Sequence, residues 1–521
     1  MSKYWVGGSG NWSDDDNHWA TSSGGSGGDG NLPTSSDSVF FDSSSGFTET
    51  ETLDQSQTGL TTKLTFGTGS VQKLGQTFKA GQTGPISKVS LKLGNNYLSA
   101  DAIRLQIYSA GSGEPGELLA TADSDVSGGG MDWEVGLYDK DFEFTDGPRL
   151  VSGTTYWFVL SRTGSLDESN TYYSQYEEEN YSDGQLYYYD SLDEWNGGLG
   201  LGNADLYFQE YYFVTDTVNI DSSLPPVDDF TANTGVSFTI GKSNGSTAIY
   251  IYGSYTGESG LTWTSNVNTV FNGTGSETVT CNGGTLRRFD IYGDGTFTLQ
   301  DDMDIESYVY VENGTLDAND HDVTAGSYYW YGDTGYTPTI NMGSGTWTAN
   351  TESTTLWEVD DDSGSTVTIN PESSKIYLAW AGSGSLEFYG GDKTYNNMEL
   401  GGDGAGSFYI NDSNTFNDFK ARNTAGARIY FEGEHTTTIT GDFDVEGVAG
   451  SLIEIRSSYL SNGNTTLSKT GGTIECDYLD IQYCNATGGA HWYAGDNSTD
   501  SGNNRGWIFT DRKYPLPPFR S

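Results

Sequence analysis

The sequence predicts an all-β protein: a parallel β-solenoid, in form a right-handed β-helix, interrupted by an inserted antiparallel β-sandwich. Three observations carry this. From about Ser237 to Phe509, short β-prone runs return between turns of Gly, Asn, Asp, Ser and Thr. Their closest copies lie roughly 20 to 30 residues apart, as stacked supersecondary units do. From about Gln57 to Val214 that rhythm gives way to strand-like runs divided by Gly/Pro turns. No stretch sustains a helical apolar period bounded by caps, so long helices are not expected.

The echoes in the solenoid can be named. Thr285-Leu286-Arg287-Arg288-Phe289-Asp290-Ile291, Thr394-Tyr395-Asn396-Asn397-Met398-Glu399-Leu400 and Thr415-Phe416-Asn417-Asp418-Phe419-Lys420-Ala421 share one pattern. Gly260-Leu261-Thr262-Trp263, Gly314-Thr315-Leu316-Asp317 and Gly345-Thr346-Trp347-Thr348 share another. One coil cannot bury its own apolar face, so its neighbours complete the core. Within a unit, Phe289 and Ile291 sit two apart, as do Phe297 and Leu299, with Asp290, Tyr292 and Thr298 between them. The alternation sends the first four inward and the others to solvent. Gly293-Asp294-Gly295 supplies the turn, because glycine reaches positive φ without steric cost.

With 521 residues the chain has room for two or three domains, and a solenoid escapes the size limit of a compact core. Its 71 glycines follow no collagen period and 14% of residues are aromatic, which suits turn-rich β structure and not disorder. The 72 acidic and 24 basic side chains give a net charge of −48, spread along the chain. Such self-repulsion weakens a compact state in dilute buffer and is screened near about 1 M salt, where the Debye length is about 3 Å. The charge therefore points to a salt-rich setting, such as that of halophilic archaea. It also excludes a basic stripe for nucleic acid and disfavours anionic membranes. No apolar run is long enough to insert into a bilayer.

Cys281, Cys476 and Cys484 show no CxxC or Cys/His metal spacing and are expected as buried apolar thiols, although a Cys476–Cys484 bridge is sterically open. The start, Met1-Ser2-Lys3-Tyr4-Trp5-Val6, lacks the apolar core of a secretory leader. Release by lysis or within a particle is expected.

Taken in order, residues 1–55 are expected to form an N-terminal cap and the first coils. Tyr4-Trp5-Val6, Trp12, His18-Trp19 and Val39-Phe40-Phe41 frame a glycine-rich loop, and a solenoid end must be covered because its open edge invites strand pairing. Asp14-Asp15-Asp16 beside His18 is read as a solvated loop. Residues 56–215 form the insert, with strands such as Ile86–Leu93, Ile103–Tyr108, Leu150–Leu160 and Asp205–Gln209. Residues 216–510 form the solenoid, entered through Leu224-Pro225-Pro226-Val227. Residues 511–521 are locally cationic and proline-rich; Pro515, Pro517, Pro518 and Phe519 suit an extended polyproline II docking peptide.

Trp5-Val6-Gly7-Gly8-Ser9-Gly10-Asn11-Trp12, followed by Pro33-Thr34-Ser35-Ser36-Asp37 and Phe40-Phe41-Asp42, resembles the opening of a family of β-solenoid proteins encoded among tailed-virus and prophage structural genes. The close resembles the same family, through Asn485-Ala486-Thr487-Gly488-Gly489-Ala490, Trp492-Tyr493-Ala494-Gly495 and Ser498-Thr499-Asp500-Ser501-Gly502-Asn503-Asn504. The resemblance implies an architecture and a virion or surface setting; the family has no agreed chemistry. The strand order of the insert resembles a jelly-roll module found beside carbohydrate-active or adhesive domains.

The insert also holds the candidate recognition residues. Tyr172, Tyr173, Tyr176, Tyr187, Tyr189 and Trp195 crowd a short span with Glu177, Glu178, Glu179, Asp183 and Asp190. Flat aromatic faces stack on sugar C–H groups and carboxylates accept hydroxyl hydrogen bonds, while tyrosines in alternate strand positions also serve as packing. Catalysis would need paired carboxylates for glycoside hydrolysis or acids holding calcium. Asp301, Asp302 and Asp304, or Glu358, Asp360, Asp361 and Asp362, are what a chain with 72 acids supplies by chance. The four histidines, at 18, 321, 435 and 491, show no metal spacing.

The expected protein is a non-enzymatic virion structural and host-attachment component: a tail fibre or spike, or a head turret or decoration. It needs no cofactor beyond structural cations. Its expected partners are other virion proteins, a host cell-surface glycan or S-layer glycoprotein, and further copies of itself, since particle attachment sites are symmetric and multivalency strengthens weak contacts. The alternatives are a polysaccharide-degrading tailspike and a cellular surface adhesin.

Overall fold

The computed structural model describes residues 1–512 except 60–61, 83, 97–100, 112, 130, 132–135, 146, 170, 179–180, 193, 198–203, 222–224, 243–244, 265, 334, 351–354, 362–364, 381–383, 403–405, 423–425 and 460–462. It is almost wholly β, with 1% helix and a parallel β-solenoid of about 12 turns. The chain divides into two units, Met1–Thr48 with Asp216–Ser521, and Glu49–Thr215.

In the first unit a ten-stranded sheet runs from the cap strands Ser2–Trp5 and Trp19–Ala20 through Ser38–Phe41 and Phe230–Ala232 to Thr368–Asn370. A second, four-stranded ladder consists of Gly10–Asn11, Thr217–Asn219, Phe238–Gly241 and Leu261–Trp263. The largest sheet, of 21 strands, runs from Pro226–Val227 to Thr499–Asp500, and from Val323–Gly332 onward it consists of two ladders side by side. Register shifts inside Thr285–Ile291 and Met303–Val311 divide these long strands between two neighbouring ladders. In Val323–Gly332 the first half stacks on Thr346–Ala349 and the second on Thr355–Asp361.

The core follows from the two-residue alternation. Phe289, Ile291, Phe297 and Leu299 are fully buried, as the pattern predicts. Tyr292 is on the solvent side, but Asp290 is not: it is 2% exposed, covered and paired by Arg288 at 2.8 Å. Further along, Tyr328, Trp330, Trp347 and Trp357 interlock with ring centroids 5.1–6.2 Å apart. Thr394-Tyr395 stacks in register on Thr415-Phe416 and Met398 on Phe419, so the first echo marks one coil position. The second does not: Leu261–Trp263 and Thr315–Asp317 lie in different sheets. It marks a recurring turn-into-strand.

The cap is aromatic. Trp5, Trp12, Trp19 and Phe41 pack together, and His18 stacks on Trp5 at 4.7 Å with Nδ1 2.8 Å from the Val6 carbonyl oxygen. His18 is thus part of the cap core, while Asp14 accepts from Asn17 and Asp15 from the Gly30 amide. All three cysteines are free and buried.

The second unit is a sandwich of two antiparallel sheets. One is ordered Pro115–Thr121, Ala102–Ala110, Thr155–Arg162, Lys73–Lys79, Leu186–Tyr189, Trp195–Gly197; the other has Ala204–Leu206, Tyr172–Glu178, Gly84–Asn95, Phe208–Thr215, Glu49–Gln57 as its main path. Phe78, Leu91, Leu105, Phe158, Leu160 and Phe208 lie in the shared core. The sequence reading opens the insert at residue 56, but the unit starts at Glu49, because Glu49–Gln57 pairs with Phe208–Thr215 along its length. The solenoid ladders run uninterrupted across the insertion point: Ser38–Phe41 stacks on Phe230–Ala232 and Gly10–Asn11 on Thr217–Asn219. At that point the Asp216 carboxylate accepts from Ser9 Oγ at 2.5 Å and from the Thr48 amide and hydroxyl at 2.7 and 2.9 Å. Burial alone would raise its pKa; these donors outweigh burial and hold it below the usual carboxylate range.

Candidate functional site

Strand register decides which aromatic residues of the insert can meet a ligand. In Tyr172–Glu178, Tyr172 and Tyr176 point into the sandwich core, 0% and 4% exposed, and the Tyr172 hydroxyl donates to the Asp101 carbonyl at 2.7 Å. Tyr173 is buried too, with the Lys63 ammonium 3.3 Å from its ring centroid. These three are packing residues, which corrects their placement in the recognition set.

Tyr187, Tyr189 and Trp195 belong together. The hairpin Leu186–Tyr189/Trp195–Gly197 sets Tyr189 opposite Trp195, with Leu186 turned into the core. Alternation therefore puts Tyr187, Tyr189 and Trp195 on the outer face of their sheet. There Tyr187 lies 4.4 Å and Trp195 5.5 Å from Trp157, and Tyr189 lies 5.3 Å from Trp195. Trp157 is the buried floor of this platform, while the other three are half-buried. Gly75 makes it possible: a Cβ there would stand 2.9 Å from Trp195 and 3.0 Å from Trp157. The Lys73 ammonium sits 5.0 Å from the Tyr189 ring. Asp190 shapes the hairpin, accepting from the Leu192 amide at 2.7 Å and the Asn196 side chain at 2.8 Å. At the tip Leu192 is 75% exposed. The arrangement offers aromatic surface with a cation at one edge.

A second aromatic surface lies on the solenoid. Tyr292, Tyr310 and Tyr331 follow one another on successive coils at 5.6 and 5.5 Å, with Tyr308 and Tyr329 alongside at 5.4 Å. Arg288 lies 4.0 Å from the Tyr308 ring. Burial, then Asp290 and Glu312, push Tyr292 up to about 12. Sequence reasoning missed this strip; the signal was the recurrence of Tyr308 and Tyr310 as Tyr329 and Tyr331 one coil later.

Three of the acidic candidates on the solenoid, Asp301, Asp302 and Asp361, have structural work. Asp301 accepts from the backbone amides of Cys281 (2.7 Å) and Asn282, Asp302 from the Asp322 amide at 3.0 Å, and Asp361 from the Val367 amide at 2.7 Å. The device recurs: Asp320 accepts from Ser344, Asp322 from Thr346, Asp392 from Ser413, Asp412 from Gly391 and Asp418 from Asp442. Apart from the Asp361–Val367 bond, which closes a local turn, each bond joins a turn to the same corner one coil away. Part of the acidic excess is therefore a set of inter-coil pins, charge-assisted hydrogen bonds to backbone amides. Asp362 lies outside the described residues, as do Glu179 and the docking-tail candidates Pro515, Pro517, Pro518 and Phe519.

Among the described residues, no group of three or more His, Cys, Asp or Glu is placed to hold a metal ion. No helix among them is long and apolar enough to cross a membrane. No protein-family model matches the chain, and no curated protein matches it in sequence.

Proposed function

We propose that the protein is a non-enzymatic structural and attachment component of a tailed-virus particle, with the solenoid as a stiff stalk and the sandwich as the module that meets a cell-surface glycan or glycoprotein. The observation that carries the reading is the platform of Tyr187, Tyr189 and Trp195 over buried Trp157. Amphipathic rings held rigid on a sheet lose little entropy on binding and stack on the apolar faces of sugars. The coil stack supports the stalk role, because each coil is locked to the next by backbone ladders and carboxylate pins. The viral assignment rests on the terminal motifs described above, and the halophilic setting on the charge of −48.

The rival reading is a polysaccharide-degrading tailspike. The engagement of Asp301, Asp302 and Asp361 by backbone amides favours attachment over hydrolysis. The test is to incubate the purified chain in high salt with cell envelope and with its isolated glycans, following both co-sedimentation and glycan chain length. Binding without shortening is the expected result. Shortened glycans would overturn the proposal, and the absence of both would leave a purely architectural part.

A further inference from the structure

Acids make up 72 of the chain's 521 residues, yet one part of the sandwich has none. Trp195–Gly197, Leu186–Tyr189, Lys73–Lys79, Thr155–Arg162 and Ala102–Ala110 are consecutive in one sheet, and none of the five contains Asp or Glu. They contain Lys73, Lys79, Arg104 and Arg162 instead. The facing sheet carries Glu49, Glu51, Asp54, Asp205 and Glu210 on its strands. The strands that display the aromatic platform are therefore a carboxylate-free surface on a strongly acidic chain.

Register places the charge. Trp195 pairs with Tyr189, Tyr189 with Lys73, Lys73 with Ser161 and Ser161 with Arg104, so the five form one row across the outer face. Two cations of the sheet are neutralised from its loops, Arg104 by Asp125 at 2.9 Å and Arg162 by Asp101 at 2.6 Å. Lys73 is not: it is half-buried and has no carboxylate in ion-pairing range among the described residues. What its ammonium meets is the Tyr189 ring, 5.0 Å from the centroid. Asp190, next in sequence to Tyr189, is committed to its own turn, where its carboxylate accepts from the Leu192 and Glu194 amides and from the Asn196 side chain. The ring surface thus ends on an uncompensated ammonium with the Ser161 hydroxyl beside it.

We propose that this face selects an anionic glycan, a sugar chain bearing carboxylate or sulfate groups, with the anion on Lys73 and Ser161 and the adjoining sugar ring against Tyr189 and Trp195. The inference rests on the glycan-binding reading of the platform and adds its ligand class. The lack of acids on these strands removes the contact repulsion that such a ligand meets elsewhere on the chain. At about 1 M salt, where the Debye length is about 3 Å, repulsion from more distant acids is screened, while a half-buried contact pair is screened less.

The test measures the affinity of the full chain, in high salt, for envelope glycans as isolated, after carboxyl reduction, after desulfation and after both, with Lys73→Gln and Lys73→Arg alongside. Expected is binding weakened about fivefold, the scale of a partly exposed ion pair, by the treatment that removes the recognised group. The two single treatments tell carboxylate from sulfate. Lys73→Gln should bind the untreated glycan with the same weakened affinity and no longer respond to treatment, and Lys73→Arg should keep the preference. Equal affinity for untreated and doubly treated glycans would overturn the proposal and leave the stacking platform standing. A preference that persists in folded Lys73→Gln would overturn it too, by placing the anion elsewhere. Binding of neither glycan would overturn it together with the reading of the platform.

Discussion

Trp357 and Tyr395 meet inside the solenoid, where the Trp357 indole N–H donates to the Tyr395 hydroxyl at 3.2 Å and that hydroxyl donates to the Gly390 carbonyl at 2.9 Å. Both side chains are fully buried. This pair thus satisfies its polar atoms by a relay inside the core, whereas the Trp330 indole nitrogen, buried against Trp357, has no hydrogen-bond partner among the described residues. Tyr395→Phe keeps the ring and removes both bonds, leaving the buried Trp357 indole N–H unpaired and the Gly390 carbonyl with only the Lys393 amide at 3.3 Å. The expected cost is about 1–3 kcal/mol, read from chemical denaturation. An unchanged midpoint would show that the relay contributes nothing.

The inter-coil pins predict a similar cost at a solvent-facing corner. Asp301→Ala frees the backbone amides of Cys281 and Asn282. A loss of about 1–2 kcal/mol is expected, smaller than for a buried pair because Asn282 is exposed to water. Limited proteolysis of the turn at 281–284 checks it. Cleavage there should accelerate in the variant, and equal cleavage rates would contradict the pinning role.

The sandwich contains a carboxyl group that resists ionisation. Burial, then the neighbouring Asp54 carboxylate, push Glu210 up to about 9, and its side chain is 1% exposed. A raised carboxyl pKa means that the folded state holds the proton more tightly than the unfolded one. The contribution is complete below the unfolded value of about 4.3 and is lost as pH rises toward 9. At pH 7 the loss is at most about 4 kcal/mol. Glu210→Gln abolishes it, so the variant should melt higher at pH 7 and show a flat Tm between about pH 5 and 8, where the parent declines. Superimposable Tm curves would contradict the assignment.

The net charge of −48 predicts that Tm rises as salt increases from about 0.15 to 1 M, while the Debye length falls from about 8 to 3 Å. Thermal melts across that range check it. A Tm that stays level or falls would remove the argument for a salt-rich setting, and would leave the carboxylate pins as the reason for many of the acids.

What the sequence revealed and concealed follows from the range of each signal. The inward set Phe289, Ile291, Phe297 and Leu299 was readable because alternation along one strand is a local property. Asp290 broke the pattern through Arg288, two residues away, whose guanidinium covers it. The insert was evident as a loss of rhythm, but its true start at Glu49 depends on pairing with Phe208–Thr215, far along the chain. Of the six proposed recognition residues, Tyr172, Tyr173 and Tyr176 proved buried, while Tyr187, Tyr189 and Trp195 face outward. Tyrosine fits a core and a surface equally well, and a one-residue change of register exchanges them. Trp157 and Gly75 escaped notice because only the assembled sheet brings them beneath the platform.

Recognition by the outer face of the sandwich is the central claim, and glycan binding by a platform variant tests it most directly. Tyr187→Ser, Tyr189→Ser and Trp195→Ser together strip the half-buried rings and leave the core residues of both units in place. The account predicts at least a tenfold loss of co-sedimentation with cell envelope and its glycans, about 1.4 kcal/mol, while the solenoid's melting transition stays where it was. Full binding by the folded variant would contradict the account and shift attention to the tyrosine strip of Tyr292, Tyr310 and Tyr331.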